Sequence, residues 1–119
     1  MRVEEDCLFC GIVAGSTPAQ IVYANETVVA FRDVAPQAPT HVLIVPREHI
    51  VNASELEEAD AGIVGAMLLA AREVADLEGI GAADRGYRLI FNVGPDAQNS
   101  VPHLHLHLVG GRAMTWPPG

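Results

Sequence analysis

The chain has 119 residues, of which 50% are hydrophobic, and its 15 acidic against 7 basic residues leave a formal net charge of −8. This length favours a core of its own, so we expect residues 1–119 to form a single domain, and the acidic balance excludes DNA, RNA and anionic membranes as expected partners. Because the N-terminus has no apolar signal-peptide run and no stretch is apolar for long enough to span a bilayer, we expect a cytoplasmic protein.

The first half of the chain predicts one short helix and three strands. Apolar residues at helical spacing predict the helix over residues 6–14. Two segments rich in β-branched residues, 21–24 and 27–32, flank a turn and predict a β-hairpin. A proline-rich loop follows, and a third strand is predicted over residues 40–45.

The second half predicts a long helix followed by two strands. Ser54 with Glu57 three residues later has the pattern of a capping box, which predicts that the long helix begins there and ends at Gly79. The last two strands are predicted over residues 87–93 and 103–109. Together these elements predict an α+β fold, with about five antiparallel strands and one long and one short helix.

Residues 103–108 alternate histidine and leucine. In a strand this alternation places His103, His105 and His107 on one face, about 7 Å apart at their Cα atoms, and the leucines on the other face. Imidazole is suited to nucleophilic and acid–base work near neutral pH, and three imidazoles also form zinc sites. The triplet alone leaves phosphate chemistry and metal binding open, with a solvated histidine face as the third alternative.

The segment before the triplet, residues 92–101, is a polar connection that contains glycine. Such a loop presents main-chain N–H groups and short polar side chains to phosphate oxygens, although an ordinary hairpin loop has a similar composition. Its position beside the histidine face favours the phosphate interpretation.

Cys7 and Cys10 form a C-x-x-C pair in a chain without a predicted export signal. This spacing is typical of zinc ligands when two further ligands are available. Two buried thiols and a redox pair are the alternatives.

The sequence resembles the histidine-triad (HIT) superfamily, and within it the Hint branch of nucleoside phosphoramidases. The resemblance implies a HIT-like fold that dimerises by joining two sheets, and cleavage of nucleoside 5′-phosphoramidates or related nucleoside 5′-phosphoryl compounds through a nucleotidyl-histidine intermediate. A purine nucleoside monophosphate or phosphoramidate is the implied ligand, and a homodimer is the implied assembly. The resemblance covers nearly the whole chain and rests on residues 30–34, 36–41, 45–49, 86–88, 92–94, the triplet and the ending 110–119 with its Trp-Pro-Pro-Gly tail.

The resemblance also implies a role for each matching residue. His105 is the implied nucleophile, His107 and His41 hold the phosphate and the nucleophile, and His103 completes the catalytic triplet. Asp33 takes the ribose hydroxyls. The remaining implied contacts are Ser100 and Asn92 at the phosphate and leaving group, Phe31 and Val34 at the base, and Asn99 and Val101 in the nucleotide site.

In HIT proteins that keep the cysteine pair, the two remaining histidine positions complete a structural zinc site. The resemblance therefore implies zinc on Cys7, Cys10, His49 and His103, and a zinc-bound His103 is not available as a general acid. Two other functions stay open at this point. One is a non-catalytic purine-nucleotide-binding or scaffold protein, and the other is a dinucleoside polyphosphate hydrolase.

Overall fold

The centre of the molecule is a five-stranded sheet in the order β1-β2-β3-β5-β4, with every neighbouring pair antiparallel. A computed structural model describes residues 1–119. It confirms the predicted α+β architecture with one long and one short helix. The strands are β1 Ile21–Ala24, β2 Val28–Arg32, β3 Thr40–Pro46, β4 Tyr87–Phe91 and β5 Leu106–Gly110, and the helices are α1 Leu8–Ala14 and α2 Ala61–Leu77.

The sheet divides the core into two layers, because successive side chains of a strand point to opposite faces. On one face α2 packs over the sheet and covers the three leucines of the histidine–leucine repeat, Leu104, Leu106 and Leu108. On the other face α1 contributes Phe9 and Cys10 to a smaller cluster. The predicted alternation is therefore confirmed, and the histidines belong to the α1 face.

The predicted start of the long helix is wrong. The Ser54 N–H and hydroxyl both bond to Oδ1 of Asn52, at 2.9 and 2.6 Å, and this local bonding stabilises a 3₁₀ turn. A second 3₁₀ turn follows, in which the Glu57 N–H donates to Oδ2 of Asp60 at 3.1 Å, and α2 begins at the next residue. The predicted end is confirmed, since Gly79 has a φ of 75° directly after the helix cap.

The last strand is shorter than predicted, because β5 begins at Leu106. Before that residue the main chain bonds elsewhere: the Leu104 N–H donates to the Ile50 carbonyl, and the His103 N–H donates to the Val101 carbonyl. His103 and His105 therefore lie outside the ladder, and their rings face different partners. Neither helix combines the length and the apolarity that crossing a bilayer requires.

Candidate functional site

A cavity of about 450 Å³ opens on the α1 side of the sheet. Its walls come from α1, the end of β2, the loop before the histidine triplet, and the triplet itself. The structure therefore brings together residues that are up to about a hundred positions apart in the chain. The sequence-predicted residues in its lining are Phe31, Asp33, Val34, Asn92, Ser100, Val101, His105 and His107.

The ring of His105 is oriented by the main chain two residues before it. Its Nδ1 lies 2.7 Å from the carbonyl oxygen of His103. Because a carbonyl only accepts hydrogen bonds, Nδ1 carries the proton of the neutral ring and Nε2 keeps the lone pair. His105 lines the cavity and packs edge-on against Phe9, with ring centroids 5.2 Å apart. In the neutral ring, the nitrogen that remains for the cavity therefore has a free lone pair, which is what a nucleophile requires.

His107 lies beside His105, with ring centroids 5.0 Å apart, and is joined to a second histidine behind it. Its Nδ1 lies 2.9 Å from Nε2 of His41, a diagonal neighbour across β3 and β5. Burial, and then the charges of His105 and His41, lower the pKa of His107 to about 4. Burial also lowers the pKa of His41, although the Asp33 carboxylate opposes that shift. Both rings are therefore neutral at pH 7.

Asp33 follows β2 and points at both the cavity and the histidine pair. Its Oδ1 accepts the Ala35 N–H at 2.8 Å, and its Oδ2 lies 3.4 Å from Nε2 of His41. The Asp33 side chain is 19% exposed, so the carboxylate keeps free lone pairs for a ligand in the cavity.

Three sequence-predicted residues do not form the enclosed wall of the cavity. Val34 is fully exposed and lies on the rim of the cavity rather than forming an enclosed wall. Asn99 is outside the cavity lining, and its Oδ1 is buried without a hydrogen-bond partner. His103 is also outside the lining and is completely buried, because its ring turns towards α1. Its main-chain carbonyl, not its ring, contacts His105.

The His103 ring lies within a cluster of two thiols and two imidazoles. Its Nδ1 lies 3.2 Å from Sγ of Cys7 and 3.5 Å from Sγ of Cys10, and Nδ1 of His49 lies 3.4 Å from Sγ of Cys10. Tetrahedral zinc with Zn–S of about 2.3 Å and Zn–N of about 2.0 Å separates sulfur and nitrogen by about 3.5 Å. The predicted ligand set is therefore brought together with the spacing that zinc needs.

The surroundings of this cluster also suit a metal. Nε2 of His103 lies 2.9 Å from the Pro46 carbonyl, so its N–H donates there and leaves Nδ1 unprotonated towards the thiols. Burial lowers the pKa of His103 to about 4, which keeps this ring neutral. Cys7 also caps α1 by accepting the Cys10 N–H at 3.3 Å, which holds the two sulfurs near each other. These four residues fit a structural Cys₂His₂ zinc site.

The sequence-family model of the HIT domain matches residues 14–114 of the chain. The protein belongs to the HIT family. A HIT family hydrolase from Legionella pneumophila is similar in structure, with a TM-score of 0.91 and 46% identity, covering 96% of this chain and 100% of that chain. The 14 kDa zinc-binding protein of Brassica juncea is 41% identical over 96% of this chain and 100% of its own length. An uncharacterized HIT-like protein of Synechococcus elongatus is 43% identical over 98% of this chain and its own full length.

Sequence reasoning missed several parts of this HIT site. Phe9 packs edge-on against both Phe31 and His105, at 5.3 and 5.2 Å between centroids, and so joins the β2 side of the cavity to the triplet. Its position inside the C-x-x-C pair was the available signal, since a zinc-held turn fixes the residues between its ligands. Gln98, with a left-handed φ of 58°, also lines the cavity. The main-chain N–H of Gln37, which donates to His41 at 3.0 Å, carries no side-chain signal at all.

Proposed function

We propose that this HIT protein hydrolyses nucleoside 5′-phosphoramidates, releasing an amine and a nucleoside monophosphate, with His105 as the nucleophile. The observation that carries this proposal is the bond from His105 Nδ1 to the His103 carbonyl, which leaves the Nε2 lone pair for the cavity. His107 and Ser100 line the same cavity and supply hydrogen-bonding groups there. Similarity to proteins described as HIT family hydrolases also supports hydrolysis as the reaction class.

The proposed reaction has two displacements at phosphorus. In the first, the His105 Nε2–P bond forms, the P–N bond of the substrate breaks, and the departing amine takes up one proton. In the second, a water oxygen attacks phosphorus, the Nε2–P bond breaks, and one proton is released. A covalent intermediate of this kind replaces one difficult displacement by two easier ones.

Arg32, the cationic side chain in the lining of the cavity, is paired with Glu78, and both His41 and His107 are neutral at pH 7. Stabilisation of the phosphoryl oxygens must therefore come from oriented hydrogen-bond donors rather than from fixed cations. His107, Ser100 and Asn92 all line the cavity and carry such donors. Donors held in place before the reaction lower the barrier without reorganising during it.

The nucleoside end of the proposed substrate occupies the β2 side of the cavity. Asp33 has free carboxylate lone pairs there and is the proposed acceptor for both ribose hydroxyls. Phe31 and the exposed rim residue Val34 lie next to it and offer apolar contact to a base without hydrogen-bond readout. We therefore expect selectivity for ribonucleotides and weaker selectivity among bases.

We also propose that Cys7, Cys10, His49 and His103 hold a structural zinc ion. Zinc would supply no chemistry to the reaction, only a closed tetrahedral link between α1, the segment after β3 and the start of the triplet. The name of the 14 kDa zinc-binding protein of Brassica juncea supports this assignment. In this arrangement His103 orients His105 through its carbonyl and takes no part as an acid.

A homodimer that joins two sheets is a further part of the proposal. β4 is an edge strand, so one side of its main chain is available for pairing with a second copy. Leu89 in this strand is 39% exposed, and Leu68 and Leu69 of α2 are 42% and 57% exposed. Sedimentation equilibrium checks this directly: a dimer that Leu89→Glu converts to a monomer supports it, and a wild-type monomer refutes it.

The decisive experiment measures monophosphate release from adenosine 5′-phosphoramidate by wild type, His105→Ala and His105→Gly. We expect loss of at least about a hundredfold in both variants, partial recovery of His105→Gly by added imidazole, and a nucleotidyl adduct detected by mass in wild type only. Calorimetric binding of adenosine monophosphate to each variant controls for loss of fold. Wild-type binding without turnover would identify a binding module, and faster cleavage of dinucleoside polyphosphates would identify that alternative substrate.

A further inference from the structure

The loop before β3 places one main-chain group against the histidine pair. The N–H of Gln37 donates to Nδ1 of His41 at 3.0 Å. An amide N–H is a donor and cannot accept, so Nδ1 of His41 must be the acceptor. The proton of the neutral His41 ring is therefore on Nε2.

This assignment is transmitted to the next ring. Nε2 of His41 lies 2.9 Å from Nδ1 of His107. Since Nε2 of His41 carries the proton, it donates this hydrogen bond and Nδ1 of His107 accepts it. A neutral His107 then carries its own proton on Nε2. His107 lines the cavity beside His105, so the nitrogen that remains for a ligand is a donor.

We infer that the main-chain N–H of Gln37 is a positioning group that sets the tautomer of His41 and, through it, makes His107 a hydrogen-bond donor to the substrate phosphate. The inference rests on the proposed function, because it assigns this donor to a phosphoryl oxygen. In the opposite tautomer His41 would accept from Nδ1 of His107, and Nε2 of His107 would present a lone pair to an anion. The Asp33 carboxylate, whose Oδ2 lies 3.4 Å from Nε2 of His41, favours the same tautomer as the Gln37 N–H, in which His107 donates to the phosphate.

A contact from outside the loop holds the chain next to this N–H. The Arg112 guanidinium donates from Nε to the Gln37 carbonyl, in the following peptide unit, at 3.1 Å. Arg112 reaches this loop because Gly111 turns the chain after β5 with a φ of 89°. A Cβ at Gly111 would lie 2.9 Å from Cβ of Pro39, so the turn and the loop are in direct contact.

The same amide bears on metal binding by Asp33, His41 and His107, whose ligand atoms also lie close together. A metal on Nε2 of a neutral His41 would move the ring proton to Nδ1. That proton would then face the Gln37 N–H, and two donors that face each other cannot form a hydrogen bond. The Gln37 amide therefore favours the hydrogen-bonded pair over a metal in this cluster, in contrast to the Cys₂His₂ cluster, where every ring nitrogen facing the thiols is free of such a donor.

The first test needs no substrate. In wild-type protein labelled with ¹⁵N at histidine, the two-bond ¹H–¹⁵N couplings report which ring nitrogen carries the proton. We expect the proton on Nε2 in both His41 and His107 at pH 7. A proton on Nδ1 of His41 overturns the inference, whatever the activity. A wild type that lacks turnover would refute the proposed function, but the couplings would still report the tautomers.

The second test removes the donor. Gln37→Pro deletes the N–H, whereas the matched variant Gln37→Ala keeps it and should keep both tautomers. We expect Gln37→Pro to shift the ring protons towards Nδ1 and to lower kcat by about a hundredfold, the usual effect of one lost transition-state donor. If the spectra of Gln37→Pro retain the wild-type tautomers, the inference is wrong.

Arg112→Ala provides a readout if Gln37→Pro does not fold. We expect it to release the Gln37 carbonyl, to mix the His41 tautomers and to lower kcat by a smaller factor, with partial recovery in Arg112→Lys. Arg85→Ala is the matched control, since it removes the same charge from an exposed arginine without a side-chain hydrogen bond to the loop. Equal tautomer populations in wild type and Arg112→Ala would show that Arg112 does not hold this amide.

Discussion

Asp33 offers the sharpest test of the proposed nucleoside site. Its Oδ1 already accepts the Ala35 N–H at 2.8 Å and its Oδ2 lies 3.4 Å from His41, so replacement by the isosteric amide keeps the shape of the site and removes one negative charge. Asp33→Asn also replaces one carboxylate acceptor by an N–H₂ donor. Both changes weaken hydrogen bonds from ribose hydroxyls.

The magnitude follows from the environment of the carboxylate. A hydrogen bond to a charged group contributes about 1.5–3 kcal/mol, and the lower value suits Asp33 because its oxygens are shared with other partners and the side chain is partly exposed. Two ribose bonds then contribute about 3 kcal/mol. We therefore expect wild type to prefer a ribonucleoside over its 2′,3′-dideoxy analogue by roughly a hundredfold in kcat/KM.

The assay is a cycle of four kcat/KM values: wild type and Asp33→Asn, each with adenosine 5′-phosphoramidate and its 2′,3′-dideoxy analogue. We expect Asp33→Asn to lose most of the preference for the ribonucleoside. Asp33 also raises the pKa of His41 and His107, but that effect acts on both substrates and cancels in the ratio. If Asp33→Asn slows both substrates equally, Asp33 acts on the histidines and not on the ribose.

Three further predictions concern stability. Removing zinc with a chelator should lower Tm by roughly 10 °C, the effect of losing about 2.7 kcal/mol of ligand stabilisation, and Cys10→Ser should abolish this response in differential scanning calorimetry. The Arg32 guanidinium lowers the pKa of Glu78, so their ion pair should stabilise the fold by about 1 kcal/mol above pH 4.5, and this stabilisation should be lost as the pH falls further. The free energies of unfolding of wild type and Glu78→Gln, measured by urea titration, should therefore converge in acid. A difference that stays constant with pH would contradict the pairing. Gly111→Ala should destabilise more than the matched Gly15→Ala, because both have positive φ but only Gly111 faces a proline ring at 2.9 Å; equal losses, of about 1–2 kcal/mol each, would mean that the contact costs nothing.

Local patterns predicted the elements that depend on local physics. The histidine–leucine alternation predicted which residues of the repeat enter the α2 layer, and Leu104, Leu106 and Leu108 are buried there. The capping-box pattern at Ser54 failed because residues outside that pattern take its two donors: Asn52 accepts the Ser54 N–H, and Asp60 accepts the Glu57 N–H. A short polar motif predicts a helix start only when no neighbouring side chain offers the main chain a better partner.

The sequence by itself determined the family, the α+β fold and the residue types of both candidate sites, since His-x-His-x-His and C-x-x-C patterns depend only on spacing. Tertiary structure decided how the five histidines divide their roles. The Pro46 carbonyl accepts from Nε2 of His103 and leaves its Nδ1 towards the cysteines. His105 receives its proton position from the His103 carbonyl, and His107 receives its own from the Gln37 amide through His41. Main-chain donors and acceptors carry no sequence signal of their own, and their direction is known only when the chain is folded.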